Sequence, residues 1–215
     1  MNRDFDALIV DFGGVLTTPL QDAMVRFAAE AGIELQDFVR AALGVYYGGD
    51  DELVVAFETG RISEDEFAEG FAKRLKEHTG RDFAPEGLIR RIFSGIELEE
   101  EMLEAVELAR SAGLKTGLLS NSWGTSLYPL KRMDGLFDAM VISGEVGMRK
   151  PDPAIFELTV DRLGVVADRC VFVDDHPNHL GSASSVGMTT VLHRTPEQTI
   201  SELETLLQIG LRNQR

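Results

Sequence analysis

The chain is poor in cysteine, in positive charge and in long apolar runs. A single cysteine, Cys170, stands among 215 residues. No internal disulfide can form, which suits a reducing compartment. Cys170 opens the apolar run Cys-Val-Phe-Val with only Arg169 as a close basic neighbour, so it reads as a buried structural thiol and not as a nucleophile. Lys and Arg number 21 against 36 Asp and Glu, a formal charge of −15. With no basic stripe to offset that excess, nucleic acid and anionic lipid are repelled. An anionic substrate would need a cation supplied locally at its site. No apolar run approaches the roughly 20 residues of a membrane span, and no basic, apolar, small-residue leader pattern precedes the first strand candidate. The expectation is a cytoplasmic protein with neither nucleic acid nor membrane as partner. Repeats and low-complexity tracts are also absent.

What is present is an ordinary globular composition, 44% hydrophobic, on a chain long enough to bury a sizeable core. Residues 6–12 read as a buried strand followed by a glycine pair. Thr17, Thr18 and Pro19 then open a helix that ends near Gly32. From there to about residue 95 the pattern is helical. Candidate helices cover Leu35–Leu43 and Asp50–Phe57, with Gly44, Gly48 and Gly49 between them. Ser63-Glu64-Asp65-Glu66 is a capping box that starts another helix, carrying Phe67, Phe71 and Leu75. A short one begins at Pro85. After Gly95 the grammar changes. A helix starting amid the acids Glu97 and Glu99–Glu101, which favour a helix N-terminus, ends at Gly113. Strands follow at 116–119, 139–142, 170–173 and 189–192. Helices are predicted between them at 123–132, 153–163 and 178–186, and Thr195-Pro196-Glu197-Gln198 starts the last.

Alternating strands and helices predict an α/β fold, a parallel sheet with helices on both faces. The economical division places residues 1–15 and 96–215 in one α/β core and inserts 16–95 as an α-helical cap. In such sheets ligands bind beyond the carboxyl ends of the strands. The residues at those ends are Asp11, Ser120-Asn121, Ser143 leading to Arg149-Lys150-Pro151, and Asp174-Asp175. Carboxylates held close repel by about 4 kcal/mol per pair at an effective dielectric near 20. A proton or a divalent cation must relieve them. A hard cation that keeps several waters is Mg²⁺. It would draw in a phosphate oxygen, with Lys150 and Ser120 holding others. Asp11 beside that pair is then a nucleophile for phosphoryl transfer. As a plain helix cap Asp11 would leave Asp174, Asp175 and Lys150 unexplained.

These residues resemble the motifs of the haloacid dehalogenase-like (HAD) hydrolase superfamily, in its phosphatase-type members with a small helical cap after the first strand. Asp11 falls on the nucleophile motif, Ser120 on the second-motif hydroxyl, Lys150 in Gly-Met-Arg-Lys-Pro-Asp-Pro on the third, and Asp174-Asp175 in Val-Phe-Val-Asp-Asp on the fourth. Gly187-Met188 match what commonly follows. The resemblance implies a Rossmann-like sheet of order 5-4-1-2-3 and Mg²⁺-dependent hydrolysis of a small phosphorylated metabolite through an aspartyl-phosphate. It implies that Asp11, the Gly13 carbonyl and Asp175 hold Mg²⁺, and that Asp174 does so through water or orients its neighbours. Ser120, Asn121 and Lys150 would hold phosphate.

The chain departs from that pattern at Gly13, where most phosphatases of the family carry a general acid/base Asp. General acid–base help is worth about 10²–10⁴-fold. A good leaving group or bound water could substitute, the chain could be a nearly inactive phosphoryl-ligand binder, or the chemistry could be that of a 2-haloacid dehalogenase. Dehalogenases place a bulky residue at this position and replace the acid pair, whereas Asp174-Asp175 and Lys150 are kept here. His179 stands where relatives often carry Asn. His176 and His179 form a His-x-x-His pair that is poor evidence for zinc without further ligands. His176 is a candidate stand-in acid/base. Trp123 reads equally as a substrate wall or as packing beneath the cap. Tyr46-Tyr47 read as cap packing or as residues facing the site. Thr17 and Thr18 fall at the hinge between core and cap.

Overall fold

The computed structural model describes residues 4–42, 51–124 and 127–213. Among them a five-stranded sheet is formed by β1 (Ala7–Val10), β2 (Lys115–Ser120), β3 (Ala139–Ile142), β4 (Cys170–Asp174) and β5 (Thr189–Leu192). Every pairing is parallel and the order is β3-β2-β1-β4-β5. This is the expected 5-4-1-2-3 order, with β1 central. All four β1 residues are buried, because a central parallel strand is covered on both faces.

Alternation along β1 separates two apolar layers. Leu8 and Val10 join Met102, Val106, Leu203 and Leu207 on one face. Ala7 and Ile9 join Ile155, Phe156, Phe172 and Ala183 on the other. The first layer is covered by α6 (Glu100–Ser111) and α10 (Pro196–Leu207), and the second by α8 (Pro153–Leu163) and α9 (Pro177–Ser185). Local signals place these helices. Asp152 caps α8 by accepting from the Ala154 amide, with Pro153 at its first turn. Thr195 caps α10 by accepting from the Gln198 amide.

Between β1 and α6 run α1 (Leu20–Ala31), α2 (Leu35–Ala41), α3 (Glu52–Glu58), α4 (Glu64–Thr79) and α5 (Leu88–Ile92). They share a separate apolar cluster that includes Phe27, Phe38, Phe57, Phe67 and Phe71. The Phe57 and Phe67 rings stack at 4.3 Å. The capping box is formed at the start of α4: the Ser63 Oγ accepts from the Glu66 amide, and the Glu66 carboxylate accepts from the Ser63 amide. The α2 helix closes before Leu43, and Leu43, Gly44, Tyr46-Tyr47, Gly48, Gly49 and Asp50 lie outside the described residues.

The chain enters and leaves this helical segment through a stitched neck. Thr17 and Leu98 form an antiparallel bridge. The Thr18 amide donates to the Glu97 carbonyl at 2.9 Å, and the Glu99 amide to the Leu16 carbonyl at 3.0 Å.

The helix predicted at 123–132 is not found among the described residues: 123–124 and 128–132 are bends, turns and irregular backbone, and Leu127 belongs to a 3-10 turn. Gly124 has φ of +93°, and Pro129 removes an amide donor and disfavours helix in the residue before it. A short helix, α7 (Ser143–Val146), was not anticipated.

The α3–α4 link meets the core at Gly60, whose φ is +69°. A methyl group there would lie 2.2 Å from the Gly144 carbonyl oxygen. Left-handed φ alone costs an L-residue about 1–2 kcal/mol. Gly60→Ala is therefore expected to lose at least about 1–2 kcal/mol of stability, measured as a lowered urea midpoint. An unchanged midpoint would show that the contact is not held in solution.

Candidate active site

The strand ends deliver the functional side chains to one edge of the sheet. The Asp11 amide still bonds to the Val173 carbonyl at 2.9 Å, so Asp11 is fixed in line with β1. Its Oδ1 accepts from the Phe12 amide at 2.7 Å. The Gly13–Gly14 turn follows. Gly14 has φ of +76°, and a methyl group on it would lie 2.5 Å from Asp175 Oδ2. Glycine is required there because the Asp175 carboxylate rests against the backbone.

Lys150 is completely buried. Its Nζ lies 2.6 Å from Asp174 Oδ2 and 2.9 Å from Asp11 Oδ1. One cation is thus shared by two buried carboxylates. Asn121 fixes the Lys150 backbone from both sides: its Oδ1 accepts from the Lys150 amide at 2.8 Å, and its Nδ2 donates to the Lys150 carbonyl at 3.0 Å. His179 Nδ1 lies 3.0 Å from Asp174 Oδ1, and the His176 amide donates to the same oxygen at 2.8 Å. Asp174 is thereby the better-compensated acid.

The titration directions follow. Desolvation pushes Asp11 up to about 7, against the pull of Lys150 and with the help of the Asp174 charge. For Asp174, burial is outweighed by Lys150 and the His179 contact, and its carboxyl is held well below the usual range. Desolvation and the Asp174 charge raise Asp175 to about 6. Burial and the Lys150 charge lower His179, which keeps it neutral at pH 7. Lys150 is raised by Asp11 and Asp174 despite its own burial, so it remains an ammonium. Asp11 and Asp174 therefore compete for Lys150; Asp174 wins, and Asp11 lacks a full counter-charge.

Asp11, Asp174 and His179 offer ligand atoms that all lie within 4.8 Å of one another. Asp175 borders the same cavity but stays outside this compact triplet, with part of its surface exposed. The two carboxylates, under-compensated by one lysine, suit a hard divalent cation, and His179 adds a nitrogen donor beside them. The His176 and His179 rings stack at 4.6 Å, and the third member of the triplet is His179, not His176.

Ser120 ends β2, buried, with its Oγ 2.9 Å from the Tyr128 hydroxyl. Burial raises the Tyr128 phenol, so it stays protonated. This pairing was not legible in sequence, since it needs residues 123–132 to be a loop. A cavity of about 460 Å³ opens over Asp11, Gly13, Ser120 and Asn121. Its outer wall is apolar, with Leu20, Met24, Phe93, Ile96, Trp123 and Leu127. Trp123 borders the cavity and packs edge-on against Phe57, Phe67 and Phe93 of the helical segment. Leu20 Cδ1 would lie 2.9 Å from a methyl on Gly13, so part of the space for a side chain at this position is taken by the end of a flexible leucine.

Sequence reasoning missed Glu58 and gave Arg149 no role beside Lys150. Glu58 ends α3 and is only 5% exposed. Its Oε2 lies 2.9 Å from Arg149 Nη1, and both residues border the cavity. The pair joins residues 91 positions apart and sits at the end of an ordinary apolar helix, so no local pattern marks it. Desolvation raises Glu58 to about 7 even against the Arg149 charge. Between pH 4.5 and 7 the folded state then holds a proton that the unfolded state has released. Stability consequently falls as pH rises through that window. Relative to Glu58→Gln, wild-type unfolding free energy should decline by about 2–3 kcal/mol across it. Parallel pH curves from urea titrations would remove Glu58 as the cause.

A family model described as haloacid dehalogenase-like hydrolase matches residues 5–187. Acyl-CoA dehydrogenase family member 10 of Mus musculus is 31% identical over 97% of this chain, which spans only 20% of that protein. Bifunctional epoxide hydrolase 2 of Sus scrofa is 28% identical over 95% of the chain, which spans 39% of it. The phosphorylated carbohydrates phosphatase of Thermotoga maritima is 30% identical over 86% of this chain and 83% of its own length. Among solved structures, a HAD family enzyme of Bacteroides thetaiotaomicron in complex with magnesium and inorganic phosphate superposes with a TM-score of 0.68, at 21% identity, over 88% of this chain and 94% of its own. A structure described as a dehalogenase gives 0.67 at 23% identity, over 98% and 100%.

Proposed function

This chain belongs to the haloacid dehalogenase-like hydrolase family, and from that premise we propose that it is a Mg²⁺-dependent phosphomonoesterase of a small phosphorylated metabolite. The observation that carries this reading is Lys150, fully buried and shared at 2.6 and 2.9 Å between Asp174 and Asp11. A site with more carboxylate than cation, on a chain of charge −15, suits an anionic substrate only if a metal ion joins it. The reading takes residues 1–15 and 96–215 as the catalytic core and 16–95 as a cap over it. It also takes the location to be cytoplasmic, with neither nucleic acid nor membrane as partner. No helix among the described residues is long and apolar enough to cross a membrane.

Asp11, the Gly13 carbonyl, Asp174 and Asp175 are assigned to Mg²⁺, with His179 beside them. When bound, the ion offsets the carboxylate charge and polarises a phosphoryl oxygen. Asp11 is held by β1 and the Phe12 amide, and its carboxylate attacks phosphorus. Ser120, the Asn121 amide and Lys150 receive the remaining phosphoryl oxygens. Water then cleaves the aspartyl-phosphate and frees Asp11. The apolar wall keeps bulk water from the reacting centre.

A Mg²⁺ titration with p-nitrophenyl phosphate tests this. Turnover that requires the ion and vanishes on chelation is the expected result. The absence of Mg²⁺-dependent turnover with any phosphate ester would overturn it in favour of a phosphoryl-ligand binder. Metal-independent halide release from a 2-haloacid would overturn it in favour of dehalogenation.

A further inference from the structure

The sheet edge leaves one step without a residue. Gly13 has no side chain to protonate a leaving group or to deprotonate water. His176 also borders the cavity, its ring stacked on His179 and its Nδ1 buried without a hydrogen-bond partner, but only its backbone amide is tied to the site, through Asp174. Tyr128 is a phenol raised by burial.

Glu58 is delivered to the same cavity by contacts that hold its backbone in place. Its backbone carbonyl accepts from Ser143 Oγ, and Ser143 Oγ accepts from the Ser122 amide at 2.8 Å. Two residues on, Gly60 is pressed against the Gly144 backbone. The end of α3 is therefore pinned to α7, which is itself tied to the loop after β2. The Glu58 side chain borders the cavity that contains Asp11 and Ser120. Its Oε2 is buried, ion-paired with Arg149, yet takes no aligned hydrogen bond.

We propose that Glu58, carried in by the helical segment, is the catalytic acid and base that the core lacks at Gly13. This rests on the phosphomonoesterase reading. In the first step the Asp11 carboxylate forms a bond to phosphorus while the ester P–O bond breaks, and the Glu58 carboxyl gives its proton to the departing alkoxide. In the second, the Glu58 carboxylate takes a proton from water as the water oxygen bonds to phosphorus. The aspartyl P–O bond breaks, returning Asp11 as carboxylate and Glu58 as acid. Alcohol and inorganic phosphate leave. A carboxyl poised near 7 is suited to both directions. The groups facing it are Arg149, Lys150 and Asp11.

The test compares Glu58→Gln with wild type on an alkyl ester, glycerol phosphate, and on p-nitrophenyl phosphate, both with Mg²⁺. On the alkyl ester kcat should fall about 10²–10⁴-fold. On the aryl ester p-nitrophenolate leaves without a proton, so the first step survives while the second slows. Stopped-flow should then show a burst of roughly one equivalent per active site, absent from wild type. Equal losses on both esters without a burst would reduce Glu58 to a brace for Arg149 and overturn the proposal. Full alkyl-ester turnover in the variant would do the same. If Glu58→Gln does not fold, Glu58→Asp keeps the charge for Arg149. This variant should likewise show a burst on the aryl ester, and equal losses on both esters without a burst overturn the proposal. A wild-type protein inactive on both esters would overturn the underlying reading and this proposal with it. With an active wild type, the comparison bears on Glu58 alone.

Discussion

Asp11→Asn is expected to lower p-nitrophenyl phosphate turnover by about 10⁴-fold or more, with no loss of stability at pH 7. The first half follows from position. Asp11 is the acid at the end of the central strand, and its amide and carboxylate are both fixed, by Val173 and Phe12. An amide oxygen in the same place is no nucleophile. The second half follows from charge. Burial raises Asp11 well above the usual carboxylate range, so its charge is held at a cost in the metal-free protein. A neutral Asn removes that cost and leaves Lys150 to Asp174 alone. Activity and urea unfolding should therefore separate in this variant. Substantial residual turnover would remove Asp11 as nucleophile. A large drop in stability would show that the Asp11 charge is needed by the fold.

Lys150→Met should do the reverse to the balance of the site and cost about 3–5 kcal/mol of stability, as removal of one partner from a buried ion pair does. Methionine fills the space of the lysine stem without the ammonium. Asp174, fully buried, is left with His179 and the His176 amide. Asp11 is left with the Phe12 amide. The Lys150 backbone stays tied to Asn121, so the loss reports on the side chain. Adding Asp11→Asn should recover part of it, because one uncompensated acid disappears with the substitution. Contacting residues are expected to be non-additive in this way. Strict additivity in a double-mutant cycle would show that Asp11 and Lys150 do not interact in solution.

The fold was legible where a local signal and a tertiary one agreed. Val-Phe-Val before Asp174-Asp175 reads as a buried strand from the run alone, and it pairs with β1 and β5. Ser63…Glu66, Asp152-Pro153 and Thr195…Gln198 are caps whose hydrogen bonds form within a few residues, so sequence contains them entire. Residues 123–132 misled because a helix was expected in every interval between strands, whereas Gly124, with φ of +93°, and Pro129 oppose one. The strand-end residues Asp11, Ser120, Lys150 and Asp174 were legible because a parallel sheet gathers its carboxyl ends on one edge. Glu58 and Tyr128 were not. Each reaches the site through packing between distant segments, and neither belongs to a motif. The position that looked empty at Gly13 is bordered by a leucine from α1.

The neck at Leu16–Thr18 and Glu97–Glu99 has a consequence for how such a protein diversifies. Its bridge and flanking hydrogen bonds hold the two ends of an 80-odd-residue excursion (Thr17 to Leu98) side by side, whatever lies between them. Lengthening a closed loop is cheap, with each doubling adding only about 0.6 kcal/mol. The two ends of the excursion, and β1 with them, are thus anchored independently of its length. Grafting a foreign helical segment between the same two triplets should leave the strands intact. In an evolving lineage the same stitch makes the molecule divisible, so that the segment on one side of it can change in length while the strands on the other are kept.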